Sequence, residues 1–244
     1  MLTHHDPLSL HIYTDHGRFY KVGKHQYPGV GNILSATDSA EQQEFWHQWR
    51  AVPNNATYSE QAKNRGKLFH LMVEQYFKNV IMTDFQDEEI AIAQPYWQSI
   101  QDILPRITTP LLIESAVWHE VGHYAGTVDM VCSFDGVPCI LDWKTATKPK
   151  KTEYLERYPL QLTAYCGAIN RMYSTRIKTG IIVVALPNSE AQVFQFSLGD
   201  YWQAWLSRLV SYWEKQDTPM AEQVLEMIRR EYKATVAMDK TFQL

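Results

Sequence analysis

A chain of 244 residues, 45% apolar and 20% charged, is long enough to bury a sizeable core and leaves no room for a long disordered tail. Its net charge of -4 argues against a protein that coats nucleic acid by bulk electrostatics, so any phosphate binding has to be local. No stretch nears the roughly 20 apolar residues of a membrane span, and Cys132, Cys139 and Cys166, without C-x-x-C spacing, argue against a disulfide framework, a zinc knot or a four-cysteine iron–sulfur cluster.

The first twenty residues show neither an apolar signal region nor an Arg/Ser-rich amphipathic pattern, so a cytoplasmic protein of a bacterial or phage-infected cell is expected. "LHIYTDHGRFYKV" alternates about Asp15-His16-Gly17 and predicts a hairpin. "ATDSAEQQEFWHQW" opens a helix, with Asp38 or Ser39 as N-cap and Glu41 or Gln42 three residues on. Further helices are predicted over 59–79 and over 87–104, the latter kinked or split at Pro95. Three strands follow, near 111–119, 124–134 and 137–144. Pro159 starts a helix running to Tyr173; "TGIIVVAL" and "AQVFQFSL" are two more strands, and helices over 200–214 and 220–233 close the chain. Helices on either side of a strand-rich centre predict one mixed α/β domain. Trp46, Trp49 and Trp97 read as core packing, with stacking on unpaired bases as the alternative.

The chemistry concentrates in the centre. Asp135-Gly136 is a strong two-residue hairpin signal that pairs Phe134 with Val137, which sets Asp129 opposite Asp142 and Thr127 opposite Lys144. One face then collects Val128, Met130, Cys132, Phe134, Val137, Cys139, Leu141 and Trp143 as core, leaving the acids and the lysine on the other. A turn at Val121-Gly122 would set Glu114 opposite Asp129, lining three carboxylates across neighbouring strands. Cross-strand pairs contribute only about 0.2–1 kcal/mol, whereas two carboxylates about 5 Å apart repel by roughly 3 kcal/mol at an effective dielectric near 20. A divalent cation with oxygen ligands removes that repulsion, and Lys144 adds an amine for a water or a phosphate. The loop "TKPKK" carries Lys148, Lys150 and Lys151 directly after it, where they would meet backbone phosphates. Taken singly, Asp142 and Lys144 would be a solvated strand end, and His70, among Leu68, Phe69, Leu71 and Met72, a buried structural histidine.

Together these motifs form a pattern. "GTVDMV…CILDWKT" resembles the G-x-x-D…D-x-K core of the PD-(D/E)XK nuclease superfamily, and "LQLTAY" resembles the Q-x-x-x-Y motif of its RecB-like branch. "NRGKLFH" is similar to that branch's upstream helix motif, and the stretch from "IESAV" to "GIIVVA" resembles the group of the mitochondrial genome maintenance exonuclease and its phage relatives. The resemblance implies a restriction-endonuclease-like core, a central mixed sheet flanked by helices, over 59–215. An N-terminal hairpin and helix would occupy 1–58 and a C-terminal helix 216–244. It implies Asp129, Asp142 and His70 as metal ligands, completed by the Trp143 carbonyl and by Glu114, and Lys144 as the catalytic lysine. Gln161 and Tyr165 would orient the active-site strand or the nucleic acid. An oxygen-rich set with one histidine suits Mg²⁺ or Mn²⁺; no iron–sulfur cluster is expected. The implied activity is exonucleolytic cleavage of single-stranded or flap DNA, with the early helices as an arch that admits a single strand and excludes a duplex. A structure-specific or duplex endonuclease and a catalytically silent nucleic-acid-binding module are the alternatives.

Overall fold

The structure, a computed structural model, describes residues 10–14, 17–80 and 87–241. Strands β1 (Leu10–Thr14), β2 (Gly17–Val22) and β3 (His25–Pro28) make a small antiparallel sheet. The predicted hairpin is β1–β2, with Thr14 against Gly17; its turn residues Asp15 and His16 lie outside the described residues. The third strand escapes a sequence reading because four residues are too few to show a period.

Helix α1 spans Val30–Ala36, α2 Ala40–Ala51, α3 Pro53–Lys78 and α4 Asp87–Ser99. Ser39 caps α2 through a full capping box with Gln42, two orphan end groups satisfied reciprocally. Helix α3 begins six residues ahead of its predicted start, with Pro53 in its first turn, where a missing N–H leaves nothing unpaired. It ends on Asn79 in the left-handed region, φ 53°. Pro95 sits inside α4, which stops at Ser99 rather than continuing to 104.

Strands β4 (Ile107–His119), β5 (Tyr124–Phe134), β6 (Val137–Thr145), β7 (Thr179–Ala185) and β8 (Gln192–Ser197) form the central mixed sheet in that order. Strands β6 and β7 run parallel, joined by the crossover helix α5 (Arg157–Tyr173); the other neighbours are antiparallel. Pro159 falls in the first turn of α5. Helices α6 (Trp202–Glu214) and α7 (Pro219–Thr241) follow.

Both faces of this sheet are core. Phe69 and Val73 of α3 and Tyr96 of α4 pack with Met130, Leu141, Trp143 and Val183 on one side. On the other, Ile33 of α1, Leu162 and Ile169 of α5, Trp205 of α6 and Val224 of α7 pack with Val131, Ile140, Ile182 and Val184. Cover on both faces explains why β7 is a continuous apolar run rather than an alternating one. It also corrects the expected division into one apolar and one polar face: Asp142, placed on the polar face by alternation, is 2% exposed, while Val137, assigned to the core, is 46% exposed.

The alternation itself breaks at one row. Val117 and Val128 join the α5-side core, yet Ile113 and Met130, an even number of residues away on each strand, face α3. Between them stand Glu114 and Asp129. Pairing is continuous around them, Ser115 with Val128 and Ile113 with Met130, so Glu114 keeps its predicted register opposite Asp129 although β4 and β5 are joined by four residues, 120–123. Glu114 has φ 43°, in the left-handed region that costs a side-chain-bearing residue about 1–2 kcal/mol. On β4 the break coincides with this positive φ; both sides of the row remain buried while Glu114 and Asp129 turn toward His70 of α3.

Candidate active site

The β5–β6 ladder runs from Phe134–Val137 to Met130–Leu141 as the Asp-Gly turn predicts, then stops one residue short of Asp129–Asp142. At that point the Trp143 N–H donates to Asp129 Oδ2 at 2.8 Å. The expected pairs Asp129–Asp142 and Thr127–Lys144 therefore do not form: a side chain has taken the donor that a continuing ladder needs. Asp129 and Asp142 are left at the mouth of a parting strand pair.

Helix α3 lies across this mouth and brings His70 to it. His70 Nε2 bonds the Trp143 carbonyl at 3.0 Å, and Nδ1 lies 3.1 Å from Glu114 Oε1 and 3.6 Å from Asp129 Oδ2. The carbonyl and the carboxylates can only accept, so both ring nitrogens act as donors and the imidazole is protonated. Burial alone would push it down, but Asp129 and Glu114 outweigh that and hold its pKa up at about 9. Among the described residues, the ligand atoms of His70, Glu114 and Asp129 lie within 4.8 Å of one another. Asp142 falls outside that close group.

Asp142 and Lys144 make the other half. Lys144 Nζ meets Asp142 Oδ2 in an ion pair and sits 5.2 Å over the Tyr158 ring. Neither Asp142 oxygen receives a well-directed hydrogen bond, although both are buried. Desolvation, with Asp129 adding to it against the pull of Lys144, raises the Asp142 pKa to about 6. Desolvation raises Asp129 as well. For Lys144 burial acts downward, and Asp142 and Asp129 overcome it, so its pKa lies above the ordinary lysine value.

Such a site fits a hard divalent cation. Two carboxylates, an imidazole and a carbonyl converge, and the buried Asp142, whose charge among the described residues is met by Lys144 alone, stands beside them.

Of the remaining predicted residues, Gln161 Nε2 donates to Tyr165 Oη at 3.0 Å, one helical turn apart on α5. Tyr165 lies flat on β5, where a Cβ on Gly126 would come within 2.3 Å of its ring; the glycine of "GTVDMV" is what lets α5 approach. Gly66 answers to no such contact, since a Cβ there would meet nothing nearer than Thr145 Oγ1 at 3.9 Å; it lines the open cleft beside His70 instead. Lys148, Lys150 and Lys151 follow β6 on a loop that Gln192 pins through the Lys150 backbone, at 2.7 and 3.0 Å. Trp143 is buried through its side chain while its carbonyl faces the site, and Trp46 is 41% exposed rather than core.

Sequence reasoning missed Tyr158, whose ring lies under Lys144 Nζ, and Tyr20 and Arg18. Tyr20 and Arg18 reach Thr127 Oγ1 at 3.2 and 3.0 Å from the small sheet, contacts across more than 100 residues that no local pattern announces. A larger cavity, 630 Å³, lies on the far side of α5 beside His119. His119 is a neutral core histidine: burial pushes its pKa down to about 4, and Nδ1 accepts the Gly122 N–H at 2.8 Å.

This sheet, with its row of acids under a histidine-bearing helix, is a nuclease architecture, and the chain belongs to the PD-(D/E)XK nuclease superfamily, whose family model matches residues 44–237. The mitochondrial genome maintenance exonuclease 1 of Mus musculus is 34% identical over 209 residues, covering 79% of this chain and 61% of its own length. That of Homo sapiens is 31% identical over 203 residues, covering 78% and 59%. The chain thus spans about 60% of the length of these relatives. A solved structure from Eubacterium rectale superposes over 66% of this chain and 68% of its own, at a TM-score of 0.43 and 14% identity.

Proposed function

We propose that the chain is a metal-dependent DNA exonuclease, hydrolysing phosphodiester bonds of single-stranded or flap DNA in replication, repair or recombination, and that it works as one nuclease domain with its core over 59–215. The observation that carries this reading is the meeting of His70, Glu114, Asp129 and the Trp143 carbonyl next to the buried Asp142–Lys144 ion pair. Asp129, Asp142, His70, Glu114 and the Trp143 carbonyl would hold Mg²⁺ or Mn²⁺. A bound divalent cation makes a water more acidic and offsets charge on the phosphoryl oxygens.

The protein's own groups do the rest. Asp142, paired with Lys144, is mostly ionised at neutral pH although burial raises its pKa to about 6, and it would hold its negative charge toward the cation. Lys144, with its pKa raised, stays protonated at neutral pH and donates hydrogen bonds to the water or to a phosphoryl oxygen, where it stabilises developing charge. Gln161 and Tyr165 fix the α5 side against β5, and Lys148, Lys150 and Lys151 would meet the phosphates of a strand entering the site. The names of the mouse and human relatives describe exonucleases, which agrees with this reading.

The test is digestion of linear single strands labelled at either end, a closed circular single strand and a blunt duplex, with Mg²⁺ or Mn²⁺ and then with EDTA. Linear single strands should be degraded, circles and duplex spared, and EDTA should stop the reaction. Equal loss of circles removes the exonuclease assignment; activity in EDTA removes the metal.

A further inference from the structure

On the α5 side of the catalytic row is a chamber of 450 Å³ that the chemistry above does not use. Its walls include Arg18 and Tyr20 from the small sheet, Trp46 from α2, and Tyr158, Gln161 and Tyr165 from α5. The volume lies within the roughly 300–1,000 Å³ of small-ligand sites. No carboxylate lines it, and Arg157, the second guanidinium on its wall, is paired with Asp38 behind it. Flat apolar walls with cationic corners suit a planar heterocycle joined to phosphate. Tyr158, one wall, carries Lys144 Nζ over its ring, so the chamber lies one side chain away from Lys144.

Trp46 is the telling wall. Helix α2 buries none of its residues, so the core does not explain a tryptophan there. Its ring touches Phe45 and Trp49 edge-on and remains 41% exposed. The base of α2 is nonetheless fixed: Asp38, just before the capping Ser39, receives Arg157 at 3.1 Å and Arg208 at 2.8 Å, and Arg157 also reaches Ser35 at 3.0 Å. An ionic clamp at Asp38 rather than a hydrophobic core anchors the helix start, two turns before Trp46, and so places α2 at the chamber rim.

We infer that this chamber receives one unpaired nucleotide adjacent to the scissile phosphate, its base taken against Trp46 whatever its identity and its backbone phosphate met by Arg18. The inference rests on the nuclease reading and makes Trp46 a substrate-positioning residue. A base held in a duplex cannot enter, so the chamber would also supply the preference for single strands.

The test uses a fluorescein-labelled oligothymidylate of about ten nucleotides, with one abasic residue moved along it. Binding is read by anisotropy in EDTA, and KM and kcat with Mn²⁺. In the native protein, an abasic residue at a single position should weaken binding and raise KM about tenfold, the size of one lost base–aromatic stack. Trp46→Ala should bind intact and abasic strands alike, with its loss in KM, and Trp46→Phe should restore the discrimination. Indifference of the native protein to abasic residues at every position, or full discrimination by Trp46→Ala, overturns the chamber. Position-dependent binding without metal-dependent cleavage supports the chamber and sinks the nuclease reading alone.

Discussion

The two halves of the candidate active site are built differently. On the α3 side His70 and Glu114 keep 27% and 26% of their side chains exposed, and each finds a partner within the protein. On the β6 side Asp142 is 2% exposed, and its oxygens have Lys144 for charge but no hydrogen bond of good geometry. The open half is satisfied without a cation, because the protonated imidazole supplies the positive charge. A buried carboxylate, by contrast, loses several kcal/mol of hydration that a single ion pair does not fully return. On the proposed reading, the sealed half would set how strongly the site needs an ion, and the open half how easily one enters.

That contrast can be broken at either end. Asp142→Asn or Lys144→Ala should lower kcat for linear single strands by about a thousandfold, with no recovery at high Mn²⁺, because the missing charge lies in the sealed half. Steady-state kinetics across a cation series checks it; recovery would make the two halves equivalent. His70→Ala or Glu114→Gln should instead raise the half-saturating cation concentration by about 10–100-fold and regain most of kcat when the metal is raised. Calorimetric titration with Mn²⁺ separates the two classes.

The smallest effect is on pH. A cation competes with the proton on His70, whose pKa stands near 9, and below about pH 6 with a second proton on Asp142. Apparent Mn²⁺ affinity should thus rise with pH, about tenfold per unit from 6 to 9 and more steeply below 6, as proton release demands. A flat profile between 6 and 8 would take His70 out of the ligand set.

Much of the architecture is legible in the chain because its signals are local. Asp135-Gly136 is a turn by its own backbone preference, and it fixed the β5–β6 register as far as Met130–Leu141. Ser39 and Gln42 cap α2 across three residues. The helix before β7 and the apolar run of β7 likewise follow from short-range pattern. Alternation misled where the chain leaves regular geometry: the row turns at Glu114, where φ is positive, and Val128 and Met130 end on opposite faces although they are two residues apart. The exposure of Trp46 was equally hidden, since an aromatic on an amphipathic helix has the same local pattern whether it meets a core or a cavity.

The order of acids, lysine, Q-x-x-x-Y and upstream histidine is a property of the sequence, and it determined the family and singled out the candidate site residues. Which of them share a space was decided by packing. The ladder had to open after Met130 for Asp129 to take the Trp143 N–H, and α3 had to cross that opening for His70 to join residues 44 and 73 positions away. Long-range contacts of this kind depend on how two covered sheet faces leave one row turned outward, and no residue's immediate neighbours in the chain encode that.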